Sequence, residues 1–190
     1  AVILKDHGAR KELDEKEINE IRDLAARTQA AFGDFDITIG VGNQYGKIDQ
    51  IADSYNEAIL ITNLLSAEEQ RSKGLYRYDR LGAYRLIWES GSPEAMVRFS
   101  DEILGALQAY DEMNGTDFMN FLISYFKYNG SIKEISENLF LHKNTVLYKL
   151  RKLEGILSCS FTQLETLLNL RLALMVREVA CNGFKPTKTV

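Results

Sequence analysis

SIKEISENLFLHKNTVLYKLRKLEGIL, residues 131–157, is the stretch on which the fold turns. Ser131 and Glu134 have capping-box spacing, in which the serine hydroxyl and the glutamate satisfy each other's orphan amides at a helix start. Ile132, Ile135 and Leu139 then line one face of a helix of only two to three turns. A second helix begins at His142 or Lys143, with Val146, Leu150, Leu153 and Leu157 as its buried face. A short helix, a tight turn and a longer helix make a helix-turn-helix, a unit that places its second helix in the major groove of DNA. The glycine usual in such a turn is replaced by Phe140, which must adopt the turn conformation or open the angle between the helices.

The charges fit that reading. The eleven residues from His142 to Lys152 include Lys143, Lys149, Arg151 and Lys152 and no acid. Of the 23 basic residues in the chain, the rest must offset 27 acidic ones, and the whole carries −4. A protein of pI near 5.3 is not basic over its whole surface, so a local basic segment is what phosphate binding requires of it. The polar face of the second helix presents Lys143, Asn144, Leu147, Tyr148 and Arg151. Lys143 and Asn144 stand in the N-terminal turn, the part that reaches base edges in helix-turn-helix docking. The competing view of the same residues is a helical hairpin with a solvated basic face.

Residues 129–154 resemble the C-terminal signature of the PucR/CdaR regulators, bacterial transcription factors named for purine catabolism and sugar-diacid use. The shared pattern is an asparagine-led first helix, a leucine, then His142, Lys143, Asn144, Thr145 and Val146, then Tyr148, Lys149 and Leu150, and the run Arg151, Lys152, Leu153 and Glu154. Phenylalanine in the turn is common in that family. The resemblance implies DNA contact by His142, Lys143, Asn144, Thr145, Leu147, Tyr148, Lys149, Arg151 and Lys152. Lys149 and Lys152 are expected to neutralise phosphates. Lys143, Asn144, Tyr148 and Arg151 are expected to face the groove, with Asn144 suited to adenine and Arg151 or Lys143 to guanine. The family often has an acidic stretch after Ser158, where this chain has Cys159-Ser-Phe-Thr162.

Upstream, the likeness continues in residues 35–42, in Ser54, Tyr55 and Ala58, and in Tyr78, Asp79, Leu81, Gly82, Tyr84, Arg85 and Leu86. These are similar to the family's central domain, a relative of the diguanylate-cyclase fold. The Gly-Gly-Asp-Glu-Phe-type turn of a working cyclase is absent, so the resemblance implies a degenerate GGDEF/cyclase-like α+β domain without catalysis. It also implies that an N-terminal sensor and the first part of the central domain precede this chain, and that a small-molecule effector is sensed there.

Patterning gives the remaining elements. Residues 1–4 read as a strand that starts with nothing before it, so the chain is expected to be part of a longer protein. A helix spans 11–31 and is ended by Gly33, and alternation over 35–41 marks a strand. Ile48, Ile51, Tyr55, Ile59 and Thr62 lie on one helical face, residues 66–74 form a loop, 75–78 a strand and 81–88 a short helix. Gly91-Ser92-Pro93 is the best boundary, because serine caps and proline suits the first helical position. Beyond it every signal is helical: a stripe from Met96 to Tyr110, then a helix capped by Thr116 and ended at Asn129-Gly130. The expected organisation is an α+β domain over 1–90, an all-α helix-turn-helix domain over 93–182, and a disordered tail over 183–190.

Other features have simpler roles open to them. Gly40-x-Gly42-x-x-x-Gly46 imitates a dinucleotide fingerprint with one residue too many, and a plain turn is favoured over a phosphate cradle. Asp34 and Asp36 suit the flank of a strand better than paired catalytic carboxylates. Tyr76, Tyr78, Tyr84 and Trp88 suit core packing before a dimer face or ligand pocket. Leu164, Leu167, Leu168 and Met175 are expected to cover the helix-turn-helix, which cannot bury its own apolar face. Two cysteines, Cys159 and Cys181, without C-x-x-C spacing suggest neither disulfide nor zinc and fit reduced thiols in the cytoplasm. Two histidines, His7 and His142, are too few for a metal cluster or a catalytic triad. No window approaches the ~20 apolar residues of a membrane span.

The expected function is thus a sequence-specific DNA-binding regulator of a catabolic operon, an activator in the pattern of the family. It is expected to bind double-stranded DNA as a homodimer or larger assembly, with no enzyme activity, cofactor or metal. The alternatives are a nucleotide-binding domain derived from a cyclase, centred on the Gly40 turn, and an interaction scaffold whose basic helix meets an acidic partner.

Overall fold

The structure is a computed structural model and describes residues 15–32, 38–66, 74–89 and 92–181. The expectations for the strand at 1–4, Gly33, Asp34, Asp36, most of the 66–74 loop and the tail at 183–190 lie outside these residues. The chain divides into two compact units, one up to Glu89 and the other running from Ser90 to Ala180.

The first unit contains α1 (Glu15–Phe32), β1 (Thr38–Val41), α2 (Ile51–Ser66), β2 (Gly74–Arg77) and α3 (Ala83–Glu89), with 3₁₀ turns at Ile48–Gln50 and Tyr78–Arg80. The two strands pair in parallel, Thr38 opposite Gly74 and Val41 opposite Arg77, and α2 makes the crossover. Leu60 and Ile61 of α2 are buried, as are Tyr78 and Ile87. Of the aromatic cluster, Tyr78 is the core member. Its hydroxyl donates to Glu89 Oε1 at 3.2 Å and Arg85 lies over its ring. Burial, with Glu89 alongside, pushes its hydroxyl well above the usual tyrosine range.

The glycine pattern after the first strand has a packing cause. A Cβ on Gly40 would stand 2.4 Å from the Ala58 carbonyl oxygen, and one on Gly42 would stand 2.0 Å from that of Ser54. Both glycines let the strand lie directly against the α2 backbone, whereas nothing comes within 4 Å of a Cβ at Gly46. The plain-turn expectation therefore needs correcting at Gly40 and Gly42, which serve strand–helix approach. The turn itself is held by Glu57, which is 5 % exposed. Its carboxylate accepts from the Asn43 amide at 2.6 Å, from Asn43 Nδ2 at 3.2 Å and from the Tyr45 hydroxyl at 2.5 Å. Desolvation outweighs these bonds and raises the Glu57 carboxyl above its ordinary value.

The second unit is wholly helical over its described residues: α4 (Pro93–Asn114), α5 (Phe118–Lys127), α6 (Ile132–Asn138), α7 (Lys143–Leu157) and α8 (Leu164–Cys181). Leu104 and Leu107 from α4, Phe118, Phe121 and Leu122 from α5, Ile135, Val146 and Leu153 from the helix-turn-helix, and Leu170, Ala173 and Leu174 from α8 form one core. The buried Ser100 hydroxyl donates to the Ala173 carbonyl at 2.9 Å, which ties α4 to α8 without an orphaned polar group. Leu164 and Leu168 do not cover this core as expected. They are 82% and 56% exposed, and the covering positions lie a turn later, from Leu170 onward.

The α4–α5 junction replaces the expected Thr116 cap. Asp117 takes the N-cap position with no side-chain bond. The capping acceptor is Asp111, still on α4, which accepts from the Phe118 amide at 2.9 Å, the Met119 amide at 2.8 Å and the Thr116 hydroxyl at 2.6 Å. Gly115 closes α4 at φ +61, where a side chain would be strained. Burial alone would raise the Asp111 carboxyl. The bonds from Thr116 and the two amides, with Lys149 nearby, hold it below its ordinary value instead. A depressed carboxylate stabilises the fold above its unfolded pKa and loses that contribution as pH falls through the folded one. Asp111→Ala is therefore expected to cost about 1 kcal/mol at pH 7, the usual worth of a helix cap. The gap to the parent chain is expected to narrow below about pH 4. Denaturant titrations at pH 7 and pH 3 check this; a gap independent of pH would separate Asp111 from acid stability.

Candidate nucleic-acid interface

The helix-turn-helix begins with a left-handed reversal. Asn129 and Gly130 have φ of +50 and +71, and the Gly130 amide donates to the Tyr125 carbonyl at 2.8 Å. The Ser131 hydroxyl accepts from the Glu134 amide at 3.3 Å, half of the expected capping box. Ser131's own amide donates to the Tyr128 carbonyl at 2.8 Å, so the preceding turn supplies that acceptor. α6 ends at Leu139, and Phe140 carries the reversal at φ +53. The Leu141 amide reaches back to the Ser136 carbonyl at 3.0 Å, while the Ser136 hydroxyl donates to the Leu141 carbonyl. The six-residue closure is that of a Schellman-type helix end. Leu139 and Leu141 pack on the core, and Phe140 between them points out.

His142 caps α7. Its Nδ1 accepts from the Asn144 amide at 3.2 Å, and its carbonyl accepts from Thr145 at 2.8 Å and Val146 at 3.1 Å. Histidine thus takes the position usually held by serine, threonine or aspartate, with a ring nitrogen as the acceptor. Val146 and Leu153 are fully buried, and Leu150 and Leu157 pack against the same core.

The nine residues singled out from the sequence divide into two groups. His142, Lys143, Asn144, Thr145, Tyr148 and Arg151 are exposed, and Leu147 is half-buried at the edge of their face. Among the described residues, neither Lys143 nor Arg151 has an ion-pair or hydrogen-bonding partner. Lys149 and Lys152 stand on the flank turned to α4 and α5. The Lys149 ammonium lies 5.0 Å from the Phe118 ring and 5.3 Å from that of Phe121. The Lys152 ammonium lies 5.2 Å from the Tyr110 ring. Cation–π attraction thus engages both lysines within the unit, and Lys149 also lies near Asp111.

Glu154, the acid that follows this face, is a fastener. Its carboxylate accepts from the Phe161 amide at 2.9 Å and from the Ser160 hydroxyl at 3.5 Å. Ser158 ends α7 at φ +50, and Phe161 packs on Tyr125 with ring centroids 5.0 Å apart. The segment around Cys159 and Phe161 is therefore an ordered junction. Cys159 is a free, half-buried thiol whose pKa is raised by burial and by Glu154, the opposite of an activated nucleophile. Asp111 and Glu154 escaped the sequence reading as structural residues. The signal available for Asp111 was its five-residue distance from Thr116 across the Asn114-Gly115 reversal. Among the described residues no group of three His, Cys, Asp or Glu could hold a metal ion, and no helix is long and apolar enough to cross a membrane.

Comparison with known proteins agrees with this geometry. Residues 118–176 match the PucR C-terminal helix-turn-helix domain, and residues 1–62 match a GGDEF-like domain. The chain is 28% identical over 140 residues to the proline-responsive transcriptional activator PutR of Bacillus subtilis, covering 74% of this chain and 34% of PutR. It is 22% identical over 121 residues to the DNA-binding transcriptional activator AdeR of the same organism, covering 64% and 29%. To the purine catabolism regulatory protein, also of Bacillus subtilis, it is 27% identical over 145 residues, covering 75% and 26%. The chain thus spans about a quarter to a third of the length of these relatives. No solved structure matches it. The chain thus joins a helix-turn-helix of the PucR C-terminal type, assembled on its own hydrophobic core, to a GGDEF-like segment before it, and it is similar to three transcriptional regulators.

Proposed function

We propose that this chain is the DNA-binding part of a regulator of a catabolic operon, and that it binds double-stranded DNA sequence-specifically through α7. The observation that carries the reading is the exposed face of α7, where Lys143, Asn144, Tyr148 and Arg151 stand together without a carboxylate among them. Lys143 and Arg151 supply unpaired positive charge, and Asn144 supplies a two-sided amide in the turn nearest the bases. His142 and Thr145 complete the N-terminal turn, and Leu147 offers an apolar edge. Lys149 and Lys152 act from the flank, adding to the local field while their ammonium groups remain over aromatic rings. One helix-turn-helix makes few base contacts, so the whole protein acts as a homodimer or larger on paired half-sites. Its place is the cytoplasm, where the DNA and the reduced Cys159 thiol fit, and a region beyond this chain senses the effector.

The protein acts without catalysis. The turn after β1, the one place that imitates a phosphate cradle, has its Asn43 amide bonded to Glu57. A buried carboxylate there stands where a phosphate would need free donors.

Salt titration of duplex binding tests the reading. The logarithm of affinity is expected to fall linearly with that of salt concentration. Replacing Lys143 and Arg151 together by alanine is expected to lower the slope by about 2, one for each phosphate charge lost. Replacing Lys149 and Lys152 together is expected to lower it by less. A larger change from the second pair would put the phosphate backbone on the other flank of α7, and absence of duplex binding at low salt would remove the DNA reading.

A further inference from the structure

We propose that Phe140 is itself a DNA-contacting residue, its ring seated on apolar surface of the duplex beside the N-terminal turn of α7. The inference rests on the DNA-binding reading above and adds a contact that charge and hydrogen bonding do not supply.

Two features of Phe140 are unfavourable in the folded chain taken alone. Its backbone is left-handed at φ +53, a region that bulky side chains adopt rarely and at a cost. Its ring is 94% exposed, more than any other large apolar side chain among the described residues. Among the described residues the other non-glycine positions with positive φ are Asn129, a type that visits this region more readily, and Ser158, which has a far smaller side chain. Glycine at position 140 would remove both costs at once, and the reversal needs nothing from the ring. The local structure nevertheless fixes the backbone from which that ring projects. Leu139 and Leu141 are drawn into the core on either side, and the two Ser136–Leu141 bonds close the turn across it. The result is a preorganised apolar projection on a rigid turn.

Its position supplies the partner. Phe140 lies two residues before His142, the cap of α7, and therefore at the same end of that helix as Lys143 and Asn144. In helix-turn-helix docking that end approaches the duplex. Apart from phosphates and hydrogen-bonding edges, a duplex offers two apolar surfaces there, the thymine methyl groups of the major groove and the deoxyribose faces. A ring carried on a fixed backbone position costs less to order when it covers either than one on a loose loop.

The test uses the 190-residue chain, its Phe140→Gly and Phe140→Ala variants, and a 30-bp duplex enriched by the parent chain from a random pool. Phe140→Gly is expected to raise Tm by a few degrees, because the left-handed residue is relieved. It is expected to weaken duplex binding about tenfold, the order expected when a half-buried aromatic contact is lost. The slope of affinity against salt is expected to stay the same, which separates an apolar contact from an ionic one. Phe140→Ala is expected to weaken binding similarly without the gain in Tm. The same duplex with uracil for thymine distinguishes the surfaces. Weaker parent binding with unchanged Phe140→Gly binding places the ring on methyl groups, and equal parent binding to both duplexes places it on deoxyribose. Parent and Phe140→Gly chains with equal affinity for the thymine duplex would overturn the proposal and leave the DNA-binding reading standing. Lost self-association in sedimentation, with duplex affinity unchanged, would assign the ring to a second copy and overturn it too. A parent chain that binds no duplex overturns both readings.

Discussion

Replacing Asn144 and Arg151 together by alanine is expected to lower affinity for the cognate duplex by about 10²–10⁴-fold, with thermal stability almost unchanged. Both side chains are exposed on α7 and neither fastens the fold, so their removal leaves no cavity and no orphaned group. Each can make a two-point contact, asparagine with adenine and arginine with guanine, and each such contact contributes about 1–3 kcal/mol of discrimination. Random duplex is expected to lose far less, because only the one charge of Arg151 contributes there. Competitive titration of cognate against random duplex measures the difference. Equal losses on both would make the two residues positioning contacts and shift base recognition to Lys143, Leu147 or Tyr148.

Gly42→Ala is expected to give the largest loss of stability in the first unit. The added Cβ would meet the Ser54 carbonyl at 2.0 Å and the Ser54 Oγ at 2.8 Å. The first of these is helix backbone, which cannot turn aside as a side-chain end does, so β1 and α2 must separate. Overpacking of this kind costs about 1–3 kcal/mol or more. Separation would also loosen the Asn43 and Tyr45 bonds to Glu57, leaving a desolvated carboxyl short of donors. Trp88, the single tryptophan, lies in α3 of the same unit, so its fluorescence follows this unit selectively during denaturation. The Trp88 transition is expected to move to lower denaturant while helix loss in the second unit keeps its midpoint. Gly46→Ala is the control, since open space surrounds that position. A Gly42→Ala transition coincident with that of Gly46→Ala would show that the strand–helix contact gives way without cost.

The glycine pattern shows where sequence reasoning stops short. Gly40 and Gly42 stand out in the sequence as special backbone positions, but a turn, a phosphate cradle and a close helix contact all call for glycine. Only the placement of Ala58 and Ser54, some 12 to 18 residues along the chain, separates these demands. Phe140 is similar. Its place in the turn and the need for an unusual conformation are local facts, whereas its exposure depends on which neighbours reach the core. Glu57 carried no motif at all, and its role appears once α2 folds back over the turn at Asn43.

By itself the sequence determined the helix-turn-helix, its two helices, the residues on its buried faces and the basic segment on the second helix. These follow from periodicity, capping and charge over a few consecutive residues, and local interactions act before any distant part of the chain is placed. The tertiary structure alone decided which side of α7 each charge serves. Arg151 and Lys152 are adjacent in sequence, yet one stands free at the surface and the other lies over the Tyr110 ring. Periodicity separates them by about 100° around the helix, but not until α4 and α5 pack against one flank does that angle acquire a meaning. The cap of α5 by Asp111 and the fastening of Phe161 by Glu154 arise in the same way, from groups that meet only after the chain has turned.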